Sequence, residues 1–402
     1  MLFKKILRSY DYSLVITYFV LCFFGLVMIY SASMVWAASS SKFNYDATYF
    51  YDKQQTNIIV GAIAFFVFAI VPYKVFQLKP LQMLMVIGSF ALLAFVLFTG
   101  NVVNNAQSWF TVGTRALQPA ELAKLSVILF TAFVYNNKLK SGNIQSFGNG
   151  VLPPIFYLVL ICFLIFLQPD VGTAFIIFSI GLCMILASGV GGKNIIKLVG
   201  VAVVGIGIMI LGIIMSGKDI LTDERVGRFI GYLEPFENVE DDGYHLVQSL
   251  YAIGSGGLSG KGLGESIQKM GYLPEAHTDF IMAIISEELG IFGVFIVVVG
   301  LGYIIFRGLT IAVRCRDPFG TLIAVGVSAM FGIQSFINLG GMSGLIPITG
   351  VTLPFISYGG SSMIVMSAAL GLLVNISMFT KYDHHYRPKK SYDQQEQERQ
   401  TA

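Results

Sequence analysis

Ten runs of apolar residues, near 13–34, 55–72, 80–99, 118–135, 151–167, 171–189, 197–215, 280–306, 319–338 and 355–379, dominate the chain. A helix needs about 20 such residues to cross a ~30 Å hydrocarbon core, and several of these runs approach that length. None shows the strict alternation of a barrel strand. Because lipid cannot satisfy open backbone groups, the runs are expected to be helices. Composition agrees: 55% of the 402 residues are hydrophobic and 12% charged, against about 25% charged in a soluble domain. The expected fold is therefore all-α, a polytopic membrane protein with about ten transmembrane helices.

An even number of spans places both termini on one side. Lys4, Lys5, Arg8, Lys74, Lys79, Lys138, Lys140, Arg307, Arg314 and Arg316 fall in loops on that side, so the positive-inside rule makes both termini cytoplasmic. The basic start and Ser31-Ala32-Ser33 resemble a signal peptide. The first apolar run exceeds the usual 7–15 residues of such a segment, so it is expected to remain as a span. Residues 1–380 form the membrane domain, with a long extracellular loop over 216–279 between spans seven and eight, and the polar tail 381–402 is expected to be disordered. A net charge of +3 implies no nucleic acid partner. Cys22, Cys162, Cys183 and Cys315 have no metal or disulfide spacing and read as packing residues.

The inward loops are short and basic, whereas the outward ones hold nearly every unusual motif. Trp109, in Gln107-Ser108-Trp109-Phe110, is either an interfacial anchor or an aromatic surface for a sugar or polyprenyl chain. Glu121 and Lys124 share a helical face, as a buried packing pair or as part of a wet site. Asp170, in Gln168-Pro169-Asp170-Val171-Gly172-Thr173, reads first as a helix cap. Arg225 and Arg228 present two guanidinium forks three residues apart, suited to phosphate or to pairing with Asp223 and Glu224. The glycines from Gly254 to Gly262 fail the phosphate-loop pattern, since Gly262 stands where Ser or Thr is required. They read instead as sites of close backbone approach or flexibility.

The sharpest feature is Pro274-Glu275-Ala276-His277-Thr278-Asp279-Phe280-Ile281, followed by Ser286-Glu287-Glu288-Leu289-Gly290. Asp279 falls at a helix start, as a cap or as a base beside a desolvated site. Capping alone would not call for Glu275, His277 and Glu288 as well. Thr349 to Ser362 carries prolines, glycines and hydroxyls that resist a straight helix, so it should line a cavity or be buried in protein.

Together these motifs resemble the SEDS family of polytopic peptidoglycan polymerases, over nearly the whole chain to Phe379. Gly264 to Lys269 and Asn338-Leu339-Gly340-Gly341 look most like the division branch from a Gram-positive bacterium, with the elongation branch second. The resemblance implies a glycosyltransferase that joins lipid II units into β-1,4 glycan at the outer face of the cytoplasmic membrane, at the division septum, releasing undecaprenyl pyrophosphate. It casts Asp279 as the catalytic base. Trp109, Arg225, Arg228, Lys261, Lys269, His277 and Ser357 are expected to contact lipid II or its pyrophosphate, with Glu121, Lys124, Asp170, Glu275 and Glu288 as a supporting polar network. No cofactor is implied, and a divalent cation, Mg or Mn, is left open. The implied partners are a class B penicillin-binding transpeptidase and other division membrane proteins. A lipid II flippase or a noncatalytic division scaffold are the alternatives.

Overall fold

The computed structural model describes residues 2–103, 106–112, 115–197, 200, 231–237, 239 and 243–386. Its helices are α1 (Leu2–Ser9), α2 (Tyr12–Ser39), α3 (Tyr49–Ile70), α4 (Lys79–Thr99), α5 (Pro119–Lys140), α6 (Leu152–Phe166), α7 (Val171–Ala187), α8 (Tyr244–Gly256), α9 (Ile281–Arg314), α10 (Pro318–Met342) and α11 (Gly360–Tyr386). Among the described residues six helices, α2, α3, α4, α9, α10 and α11, are long and apolar enough to cross a membrane, and α6 and α7 are shorter apolar helices. The predicted runs coincide with α2–α7 and α9–α11, except the one at 197–215, which lies almost wholly outside the described residues. Prolines sit in the first turn of α4, α5, α6 and α10, where the missing N–H removes no helical bond.

One element departs from the all-α expectation. Between α4 and α5 the chain forms strands β1 (Asn101–Val103), β2 (Ala106–Val112) and β3 (Arg115–Leu117), paired antiparallel in that order. Val, Trp, Phe and Thr favour extended backbone here, and no apolar run of spanning length competes for them.

Phe98 and Val313 are 86% and 87% exposed, as suits side chains facing lipid rather than water. Inside the bundle, α11 has 83% of its apolar window buried and α4 only 22%, so α11 is central and α4 peripheral. At one end Tyr10 donates to the Ala69 carbonyl, Asp11 binds Arg307 and Lys381, and Tyr73 binds Asp317 and Asn375. These are the ends and loops that the charge bias assigns to the cytoplasm, gathered on one side of the bundle.

The opposite half contains two interruptions. Residues 347–359, between α10 and α11, are irregular, yet Val351 and Leu353 through Ser357 are buried. This segment reaches the middle of α2, where a side-chain carbon on Gly25 would stand 2.6 Å from the Phe355 carbonyl oxygen. Only glycine allows that approach. Phe355 itself holds φ 64, a conformation that persists only under tight packing, here against Tyr18 and Phe331. Irregular backbone at this depth is enclosed by protein, as a membrane requires. The second interruption is in α9, where Gly290 has φ 61 and ψ −150.

Candidate functional site

Four motif segments that are remote in sequence meet at the outer half of the bundle. Gln118 donates through its side chain to Asp170 Oδ2 at 3.1 Å and through its backbone to Ser361 Oγ at 3.0 Å. Tyr358 N donates to the His277 carbonyl at 2.9 Å, and Ser357 Oγ to the Thr278 carbonyl at 2.6 Å. Asn338 Nδ2 bridges the Asp279 and Val351 carbonyls at 2.8 and 2.7 Å. The re-entrant segment thus forms a floor that the Pro274–Phe280 turn rests upon.

Asp279 lies two residues before α9 begins, and the N-cap position, Phe280, makes no side-chain capping bond. The carboxylate is free of that task. It is half-buried beside Gly350, where a side-chain carbon would stand 3.5 Å from its Oδ2. Among the described residues it has neither a hydrogen-bond donor nor a cation of its own. Burial, aided by the negative charge of Glu275, pushes its carboxyl up to about 7. Glu275 is exposed, holds φ 52 and accepts a 2.7 Å bond from Thr278 Oγ1.

His277 packs into an aromatic cage. Its ring centroid is 4.3 Å from Phe50, 5.3 Å from Trp36 and 5.6 Å from Tyr358. Burial, only partly opposed by Glu275, holds its pKa down at about 4, so the ring is neutral at physiological pH. In this arrangement it anchors the turn to α2 and α3. Ser357, buried, does the same work through Thr278 and also accepts from Leu353 N at 2.8 Å.

Asp170 caps α7 by accepting from Thr173 N at 3.1 Å. Glu121 and Lys124 form a buried 2.8 Å ion pair, and Lys124 also donates to Gln334 Oε1 at 2.8 Å. Gln334 Nε2 in turn donates to the Thr352 carbonyl, which joins this pair to the re-entrant segment. Among the described residues Glu121 Oε2 and Asn338 Oδ1 are buried without a hydrogen-bond partner. Such atoms call for water or a ligand group.

Lys261 and Lys269 are placed differently from the pyrophosphate ligands expected of them. Lys261 Nζ is 2.7 Å from Glu287, and Lys269 Nζ, fully buried, is 2.7 Å from Glu288. A buried ammonium needs such a carboxylate, and this pairing takes Lys269 away from any departing phosphate. Trp109 lies half-buried on β2 opposite Asn101, with no described contact to the Asp279 turn. Arg225 and Arg228 lie outside the described residues. Among the described residues no group of three His, Cys, Asp or Glu side chains is placed to hold a metal ion.

Sequence reasoning gave no site role to Gln334 and Asn338, one turn apart on α10, or to Gln54 on α3. Gln54 is fully buried, donates to the Ser357 carbonyl and accepts from Gly359 N. The signal was available: amides on one face of an apolar span need polar partners inside the protein.

The profile of the FtsW/RodA/SpoVE family of cell cycle proteins matches residues 12–382. The chain belongs to that family. It is 49% identical to the probable peptidoglycan glycosyltransferase FtsW of Bacillus subtilis strain 168, over 96% of this chain and 95% of that one. It is 40% identical to stage V sporulation protein E of the same organism, over 93% and 98%. Its fold matches a chain from a structure described as coordinating polymerization and crosslinking in a peptidoglycan synthase complex, with TM-score 0.71, 23% identity and coverage of 94% and 99%. It also matches the rod shape determining protein RodA of Thermus thermophilus, with TM-score 0.63, 24% identity and coverage of 94% and 98%. The helical membrane fold and the family read from the motifs are both borne out.

Proposed function

We propose that this family member is a peptidoglycan glycosyltransferase that polymerises lipid II on the outer face of the cytoplasmic membrane, at the division septum. The relatives named FtsW support the activity, and the observation that carries the mechanism is the Asp279 carboxylate, without a hydrogen-bond donor or cation among the described residues, on the motif-lined floor. Asp279 accepts the proton of the acceptor sugar's 4-hydroxyl as that oxygen attacks the donor's anomeric carbon. The bond to undecaprenyl pyrophosphate breaks from the opposite side, so an α-linked donor gives a β-1,4 product. A carboxyl near 7 suits a base that must be ionised before transfer yet accept a proton during it. Arg225 and Arg228 are retained as partners of the pyrophosphate on chemical grounds. The molecule that crosslinks the new strand is a class B penicillin-binding transpeptidase, a pairing supported by the peptidoglycan synthase complex among the fold relatives.

The test is lipid II polymerisation by wild type and Asp279→Asn, each purified with a transpeptidase that lacks its own glycosyltransferase domain, with penicillin present. Glycan from wild type alone is the expected result. Equal polymer from both would remove Asp279 from the mechanism. No polymer from an intact wild-type complex would turn the reading toward lipid transport.

A further inference from the structure

In sequence Asp279 lies midway between two fully buried charges. Lys269 and Glu288, paired at 2.7 Å with no exposed side-chain surface, are 19 residues apart in sequence. Their contact closes the intervening chain into a loop with the Pro274–Phe280 turn at its centre. Ser31 of α2 completes the group. Its hydroxyl stands 2.7 Å from both Glu288 oxygens and 3.1 Å from Lys269 Nζ, so it donates to the one and accepts from the other.

The same stretch of α9 grips the loop again one residue earlier. Glu287 accepts from Lys261 Nζ at 2.7 Å, from the backbone N–H groups of Ile267 and Gln268 at 3.2 and 3.3 Å, and from the Ser266 hydroxyl. The break at Gly290 makes the backbone part of this grip. In an unbroken helix Ile291 N would donate to the Glu287 carbonyl. Here it donates to Leu258 O at 3.2 Å, while Lys261 N and Gly262 N donate to the Glu287 and Glu288 carbonyls at 2.9 Å each. The loop replaces the missing helical bonds, and Gly260 and Gly290 permit the close contact.

A buried ion pair contributes little net stability, because losing hydration offsets the attraction between the charges. An apolar pair of similar volume would hold the same elements together, but without a fixed register. We propose that the Lys269–Glu288–Ser31 clip is a positioning device for glycan transfer, setting where the turn presents the Asp279 carboxylate. This rests on the role assigned to Asp279 above. Lys269 and Glu288 act through the turn and touch no substrate.

The decisive variant is the double substitution Lys269→Met/Glu288→Leu, which removes both charges together and leaves neither uncompensated. Purified with the partner transpeptidase, it is expected to keep a thermal midpoint at or above wild type and a KM for lipid II within twofold, while kcat falls at least tenfold. A folded double variant with wild-type kcat would overturn the proposal. Should the double variant fail to fold, Ser31→Ala decides: the clip predicts a roughly threefold lower kcat at unchanged KM, and an unchanged kcat refutes it. Wild type in the same assay separates the two claims. An inactive wild type defeats the transferase reading and the clip with it, whereas an active wild type matched by active variants defeats the clip alone.

Discussion

Asp11 and Asp279 are both acids near the end of a membrane span, and their surroundings are opposite. Asp11 is buried at the cytoplasmic end, 2.8 Å from Arg307 and 3.4 Å from Lys381, and accepts from Ser13 at 2.6 Å and Ser377 at 3.1 Å. Burial alone would raise its pKa, but Ser13, Lys381 and Arg307 together hold it below the usual carboxylate range. Asp279 has no such company among the described residues, and burial with Glu275 pushes it up to about 7. The pairs around Asp11 join the start of α2 to α9 and α11. Where charge has a structural task the fold surrounds it with donors and cations. In the mechanism proposed for Asp279 a proton is to be moved, and there the described residues leave the carboxylate free to accept it.

The largest expected effect sharpens this contrast. Asp279→Asn should lower kcat for lipid II polymerisation by about 10²- to 10⁴-fold, the range of a lost general base. Stability should move the other way. The folded pKa of Asp279 exceeds its unfolded value of 3.8, so the native state binds the proton more tightly and loses stability as pH rises toward 7. The amide escapes that loss, and thermal unfolding at pH 8 should show it more stable by on the order of 1 kcal/mol. A variant both inactive and less stable would mean that Asp279 has a structural role.

Asp11→Asn is the converse. It leaves Arg307 and Lys381 facing a neutral amide, at a cost on the order of 2 kcal/mol, while kcat per folded molecule stays near wild type. The loss should be greatest at neutral pH. Because the folded pKa of Asp11 is depressed, its contribution is present above the unfolded pKa and disappears as pH falls through the folded one. A large fall in kcat at unchanged stability would break the comparison.

A subtler test addresses the origin of the raised carboxyl. The negative charge of Glu275 disfavours ionisation of Asp279, so Glu275→Gln should lower the Asp279 pKa. The acid limb of the pH–kcat/KM profile, expected near 7 in wild type from the raised Asp279 carboxyl, should then move to lower pH by up to about one pH unit. A limb that stays in place would leave burial as the whole cause.

How much of this was readable beforehand depends on whether the deciding interactions are local. Spans were legible because length and apolarity alone determine them, as α2, α4 and α10 show. The strands within 101–117 were not, since two of the three have only three residues. The glycines of 254–262 were read as places of close approach or flexibility, and Gly260 meets Gly290 closely. That α9 itself opens at Gly290 was invisible, because the cause is a strand of loop about 30 residues upstream. Lys261 and Lys269 were expected at lipid II or its pyrophosphate, and their ion pairs went unread because the acids are 26 and 19 residues away. Gln334 went unread and Asn338 was noted only for its resemblance to the division branch, although a single helical turn separates them. The convergence of the motif segments came through resemblance, since no local rule brings Thr349–Ser362 to Asp279.

Asp170 supplies the smallest and most discriminating test. It shares the outer half of the bundle with Asp279, yet like Asp11 it is partnered, by Thr173 N and by Gln118 Nε2, each at 3.1 Å. Location and partnership therefore make different predictions for it. If location governs, Asp170→Ala should disable polymerisation nearly as severely as Asp279→Asn. If partnership governs, the variant should lose a helix cap at a cost of about 1 kcal/mol, with kcat per folded molecule within about threefold of wild type. Asp170→Asn, which keeps an oxygen for Thr173, should recover most of that stability. The geometry favours partnership, because both carboxylate oxygens of Asp170 already accept from donors fixed to α7 and to the start of α5. Thermal unfolding and polymerisation measured on one preparation of each variant would separate the two accounts.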